Sequence, residues 1–118
     1  MSRWSSLVAL AVALGVTPAL ADGKLDKKTE RLWKAKCASC HGMDGKGQTD
    51  KGKKMKVADY STADWQKGRT DEQIKKAILE GVKAEKDGVK QEMDAYKDLT
   101  PEQVEQLVLM TRSLGPQK

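Results

Sequence analysis

The two cysteines and the single histidine of this chain fall within five consecutive residues, Cys37-Ala38-Ser39-Cys40-His41, with Gly42 directly after them. Every soft metal ligand other than methionine is therefore concentrated at one point. A cysteine pair in an exported chain ordinarily reads as a disulfide. With two residues between the partners, however, such a bridge closes a very short loop and constrains little of the unfolded chain. The rest of the composition raises the stakes. The chain has no phenylalanine, 33% of its residues are charged, and beyond residue 21 its aromatics are Trp33, Tyr60, Trp65 and Tyr96 alone. A domain of this size buries a modest core at best. Apolar volume must come from something other than side chains, or the chain must be cross-linked.

Residues 1–21 do not belong to that domain. Arg3 and the amino terminus supply positive charge, Leu7 to Val16 form an uninterrupted apolar run, and Ala19-Leu20-Ala21 ends the segment on small residues. This is the pattern of a secretory signal peptide. The apolar run is too short for the roughly 20 residues that a membrane-spanning helix needs. The expectation is cleavage after Ala21, a periplasmic mature protein over residues 22–118, and no stable membrane insertion. Lys and Arg number 22 against 17 Asp and Glu, a formal net charge of +5, and the balance stays positive once Arg3 is removed. Export makes nucleic acid an unsuitable partner and leaves an acidic protein surface or an anionic membrane face. The positive charge is densest at Lys51, Lys53, Lys54 and Lys56.

Hydrophobic periodicity predicts three helices and no strand. The first runs from Leu25 to Cys40, with Leu25, Thr29, Leu32 and Trp33 at helical spacing. The second opens at Thr70, where Gln73 three residues on completes a capping box and Asp71 and Glu72 suit the positive end of the helix dipole; Ile74, Ala77, Ile78, Gly81 and Val82 form its stripe. The third is capped by Thr100, with Pro101 at its first position and Gln103 closing the box. Val104, Leu107, Val108, Thr111 and Leu114 mark its buried face, Met110 lies at the edge of that face, and Gly115-Pro116 ends it. A long Gly- and Lys-rich loop joins the first two helices, and loops of that length usually wrap something functional.

The spacing of the five residues has a direct chemical reading. C-x-x-C-H is the attachment signature of c-type haem. Two cysteines three apart on a helical turn can each form a thioether with one vinyl group of the porphyrin. The next residue then projects over its face, where a neutral imidazole binds the iron. A covalently held macrocycle also supplies the apolar volume that the missing phenylalanines do not. The rival readings fail on specific residues. A thioredoxin-like dithiol belongs between a strand and a helix. A zinc site lacks a fourth ligand. A calcium loop from Asp44 has Lys46 and Gln48 where acidic ligands belong, and the Gly-Lys-Gly of residues 45–47 does not lead into a phosphate loop.

With the one histidine used, methionine is the natural ligand for the opposite face of the iron, a soft thioether that raises the potential. Met43 is two residues past His41 and cannot reach around the ring. Met110 lies within the third helix and reads as core. Met93, in the irregular segment between the second and third helices, is the leading candidate, and Met55 in the lysine cluster is the alternative.

With these residues in place, the chain resembles the class I mono-haem cytochromes c of the small soluble bacterial kind, over nearly all of residues 22–118. The likeness rests on Trp33 four residues before Cys37, on Cys37 to Gly42, and on Met93, Tyr96 and a last helix over Leu99 to Leu114 in the family's order. It implies an all-α cytochrome c fold of three or more helices around one haem c with its iron. The thioethers would form at Cys37 and Cys40, His41 would be the proximal axial ligand and Met93 the distal one. It implies a monomeric electron carrier rather than an enzyme, exchanging electrons with redox partner proteins through an acidic docking face on the partner. Readings from other classes are a haem-based ligand binder or sensor with an open distal site, and an electron-feeding subunit of one periplasmic oxidoreductase. The chain departs from the family pattern at three places. Asp94 follows Met93 where proline is frequent. Thr29 and Met110 replace a frequent glycine and aromatic at the crossing of the terminal helices, so that interface is expected to be repacked. Gly52 to Met55 replace a Gly-Pro segment, and the resemblance places a backbone carbonyl near Lys53 on the second imidazole nitrogen of His41. Trp65 or Tyr60 can bond a haem propionate or simply fill the core.

Overall fold

The computed structural model describes residues 24–117; the segment read as a signal peptide lies outside them. Helix α1 (Lys27–Lys36) begins two residues later than its apolar pattern suggests, because Asp26 caps it. The Asp26 carboxylate accepts from the Thr29 amide at 2.7 Å and from the Thr29 hydroxyl at 2.6 Å. The helix expected over residues 25–40 is two pieces. It stops at Cys37, where φ is −118°, and resumes as α2 (Ala38–His41). The Cys37 carbonyl accepts from both the Cys40 amide (3.2 Å) and the His41 amide (3.0 Å), a tightened turn that sets the two cysteines and the histidine on a short helix of their own. Gly42, at φ 78°, ends it.

The stretch read as a long loop carries two further short helices, α3 (Asp50–Lys54) and α4 (Ala63–Gly68). Each starts at a threonine whose side chain accepts a backbone N–H three residues on, Thr49 from Gly52 at 2.9 Å and Thr62 from Trp65 at 3.2 Å. Helix α5 (Asp71–Glu80) carries the Thr70/Gln73 capping box and α6 (Pro101–Ser113) the Thr100/Gln103 box, both reciprocal as the sequence predicts.

Helices α1, α5 and α6 meet in one small core of Trp33, Ile74, Ile78, Leu107, Val108 and Met110. No large side chain among the described residues falls below 2% exposure, so the apolar interior is thin. Thr29 and Met110, the two departures at the crossing of the terminal helices, are both buried there. The Thr29 hydroxyl is satisfied locally by Asp26, and Gln106 ties the segment leading into α1 to α6 by accepting from the Asp26 amide and donating to the Lys24 carbonyl, each at 3.0 Å. A second set of polar contacts fastens α6 to α4 and α5. The Arg112 guanidinium donates to the Gln66 carbonyl (2.7 Å), the Gln66 side chain (3.0 Å), the Arg69 carbonyl (2.6 Å) and Asp71 (2.9 Å). The Gln66 amide in turn donates to the Tyr60 and Thr111 carbonyls at 2.7 and 3.0 Å.

Between α5 and α6 the periodicity predicts no strand, and there the structure differs. An antiparallel hairpin joins β1 (Val82–Lys86) to β2 (Val89–Met93), with Val82 opposite Met93 and Lys86 opposite Val89. Its two-residue turn is Asp87-Gly88, with φ values of 51° and 79°. Positive φ at both central positions is the type I′ geometry whose twist matches paired strands, and Asp-Gly is among its preferred sequences. Met93 therefore ends a strand rather than lying in an irregular segment. Apart from this hairpin, the frame is the helical one that the resemblance implies. No helix of the described residues is long and apolar enough to cross a membrane.

Candidate functional site

Cys37, Cys40 and His41 open onto a cavity of about 850 Å³, within the range of pockets that bury a small-molecule ligand or cofactor. Three walls can be traced. Leu32, Trp33 and the Cys37–His41 turn form one. Ile74, Ile78 and Leu107 form the floor from α5 and α6, and Val82, Gln91 and Met93 of the hairpin form the far side. Met55, Val57, Tyr60 and Trp65 close the remainder.

The cysteine turn is fixed from behind. The Trp33 indole donates to the Gly42 carbonyl at 2.9 Å, the Gly47 amide to the His41 carbonyl at 2.9 Å, and the Thr49 hydroxyl to the Cys40 carbonyl at 3.1 Å. Gly52 packs so closely on the Cys40 and Gly47 carbonyls that a Cβ there would clash with both. The aromatics stack in sequence beside the imidazole. Tyr60 lies 4.9 Å from His41 at 26° and Trp65 lies 4.0 Å from Tyr60, while Trp33 is 5.8 Å from His41 on another side.

This setting favours neutral groups. Burial lowers the pKa of His41, which keeps its imidazole neutral and able to donate a lone pair. Burial, with a smaller contribution from neighbouring Cys40, pushes the Cys37 thiol up to about 11, and burial pushes the Tyr60 phenol up to about 12. Nδ1 of His41 is buried and has no hydrogen-bond partner. The carbonyl near Lys53 that the family resemblance assigns to this ring does not reach it. The Lys53 carbonyl instead accepts from Met55 and Lys56 in the last turn of α3. Nδ1 is thus left without the partner the resemblance implies, a costly state for a buried polar atom, while burial keeps the ring neutral and its other nitrogen able to donate a lone pair.

All four residues singled out from the sequence, Cys37, Cys40, His41 and Met93, line this one cavity, and so does Met55. Met43 is 51% exposed and Met110 is buried in the core, and neither borders the cavity. Tyr60 and Trp65 line it as well, their rings in contact and tilted by 31°. Sequence reasoning missed Gln91 and Val57; Tyr96, already among the residues that carry the resemblance, lines the cavity too, and its hydroxyl donates to the Lys36 carbonyl at 3.0 Å beside the first cysteine. The Asp87-Gly88 pair was the available signal for the hairpin that brings in Gln91.

The residues present fit a covalently attached haem. Two thiols and a neutral imidazole border a cavity walled in part by Leu32, Ile74, Ile78 and Leu107, in a protein whose side chains build only a thin core. The comparisons with known proteins agree. The Cytochrome c family model matches residues 27–113. A solved structure, the KustC0563 c-type cytochrome, is 32% identical and superposes with a TM-score of 0.62, covering 75% of this chain and 98% of that one. No curated protein sequence matches this chain.

Proposed function

The chain belongs to the cytochrome c family, and from that premise we propose that it is an exported, soluble, monomeric carrier of single electrons with His/Met-ligated iron. Family membership brings a covalently bound haem c with its iron and a role in electron transfer with redox partners. Cytochromes c are carriers rather than enzymes, and this protein is read in the same way. The finer assignments are these. Cys37 and Cys40 would hold the haem through thioethers, and His41 and Met93 would ligate its iron. The segment 1–21 is removed on export to the periplasm, leaving the domain 22–118.

The haem supplies the one-electron couple. The polypeptide holds, shields and orients it. The turn at Cys37 brings both thiols to the same end of the cavity, and the contacts behind it keep the imidazole facing inward. Ile74, Ile78 and Leu107 keep water from the floor, and a dry, apolar setting with a thioether ligand favours the reduced iron. Lys53 and Lys54 are exposed next to the cavity-lining Met55, and Lys51 borders the cavity itself. Positive charge at this rim suits docking to an acidic partner surface.

The observation that carries the reading is the shared cavity of the Cys37–His41 turn and Met93, which brings two thiols, a neutral imidazole and a thioether onto one space. Met55 lines the same cavity and is the competing thioether. Met93→Ala is expected to abolish the sulfur-to-iron charge-transfer absorption of the oxidised protein and admit imidazole or cyanide freely, while Met55→Ala changes neither. The opposite pattern would reassign the ligand to Met55. A wild-type protein without that absorption would favour a haem-based ligand binder with an open distal side.

A further inference from the structure

β2 carries a polar side chain where its alternation calls for an apolar one. Val89, Gln91 and Met93 share the inward face of the strand and are more buried than Lys90 and Glu92 between them. Gln91 and Met93 both border the cavity. The two N–H groups of the Gln91 amide are fully used, donating to the Met55 carbonyl at 2.8 Å and to the Lys56 carbonyl at 2.9 Å.

Those two carbonyls need a partner. They stand at the C-terminal end of α3, where the last carbonyls of a helix have no acceptor role within it. Lys56 adopts φ 52°, left-handed backbone that a non-glycine residue takes up only at a cost. Gln91 satisfies this turn from a strand 35 residues away and so joins two walls of the cavity.

Little else holds the far wall in place. The Lys56–Asp87 ion pair at the hairpin tip spans 3.8 Å between exposed groups, a kind of contact that contributes little. The base of the hairpin is fixed separately. Gly81 lies against the Met93 carbonyl so tightly that a Cβ would clash, and the Tyr96 amide donates to the Ile78 carbonyl at 2.9 Å. Among the described residues, Gln91 supplies the only hydrogen bonds from the hairpin to the opposite wall.

We propose that Gln91 is a positioning residue for Met93, its amide latching the hairpin to the α3 turn and thereby setting how readily an outside ligand displaces Met93 from the iron. This rests on the reading of Met93 as the distal ligand. Release of the latch loosens β2 up to its fixed end, so that Met93 is held from one side only, while α1, α5 and α6 stay packed. Ligand entry is then limited by hairpin opening rather than by unfolding.

The test uses the holoprotein with Gln91→Met, which keeps the stem and removes both donors, and Gln91→Glu, which puts acceptor oxygens against two carbonyls. Imidazole binding to the oxidised protein is followed by stopped flow, with the sulfur-to-iron absorption and the thermal melt recorded on the same samples. Both variants are expected to keep the absorption without imidazole, to melt close to wild type, and to bind imidazole roughly tenfold faster or more, the loss of two hydrogen bonds. Gln91→Glu is expected to be at least as fast as Gln91→Met. Wild-type binding rates in both variants would overturn the latch. So would a faster rate matched by a proportionate loss of thermal stability in both, since that marks an ordinary structural residue. If the absorption is absent from wild type, or survives Met93→Ala, the ligand assignment itself falls and the latch with it.

Discussion

The α4–α6 corner and the 82–93 hairpin wall the same cavity by opposite means. At the corner, Arg112 and Gln66 place six hydrogen bonds across three helices, and Leu107 and Val108 of α6 are almost completely buried just before it. The hairpin is exposed along most of β1, and one side-chain amide holds it to the opposite wall. The corner is cross-braced through two side chains; the hairpin is local and separable. The lesson is that the cysteine and histidine side of the site is built into the helical frame, whereas the methionine side is attached to it.

That contrast can be broken from either end. The largest effect is expected at the corner. Arg112→Ala removes four contacts of a charged donor and leaves the Arg69 and Gln66 carbonyls without it, which should destabilise the whole fold by about 2–3 kcal/mol. Chemical denaturation checks this, and a loss confined to a few tenths of a kcal/mol would show the corner to be dispensable. A smaller, local effect is expected at the hairpin tip. Gly88 has φ 79° and nothing within 4 Å of an added Cβ, so Gly88→Ala acts through the backbone alone, at about 1 kcal/mol. Hydrogen exchange should show faster opening in residues 82–93 with α6 amides unchanged. Uniform acceleration over both would mean the hairpin is not separable.

The smallest effect on stability is expected at the rim. Lys53→Glu with Lys54→Glu alters exposed side chains that form no ion pair among the described residues, so stability should stay within about 0.5 kcal/mol. Electron transfer to an acidic partner should nevertheless slow, and its dependence on salt should flatten, because screening acts over about 8 Å at physiological ionic strength. Rates indifferent to both salt and charge would move the docking face elsewhere.

The parts that local chemistry dictates were the legible ones. Thr70 with Gln73 and Thr100 with Gln103 cap their helices as the sequence implies, because a capping box is closed within four residues and asks nothing of the rest of the chain. The Cys37–His41 turn is read from the same short range, and the structure brings its three side chains to one cavity. Contacts made over distance were not. The hairpin has few strong strand formers, and Val-Lys-Gln-Glu-Met alternates only once Gln91 is known to point inward. The start of α1 slipped because Leu25 fits the apolar stripe while the Asp26 carboxylate decides the cap. Short helices α3 and α4 were hidden by the glycines and lysines around them, although Thr49 and Thr62 mark their starts. The partner of His41 Nδ1 was misplaced because the α3 turn draws the Lys53 carbonyl into its own hydrogen bonding.

Behind both walls stands one claim, that side chains alone do not complete this interior and a covalently held haem does. Circular dichroism of the Cys37→Ala, Cys40→Ala double variant tests it directly. The expected result is a chain with little helix and no cooperative melt, since Trp33, Ile74, Ile78 and Leu107 would then face a cavity of about 850 Å³. Native-like helicity with a sharp thermal transition and no bound haem would contradict it.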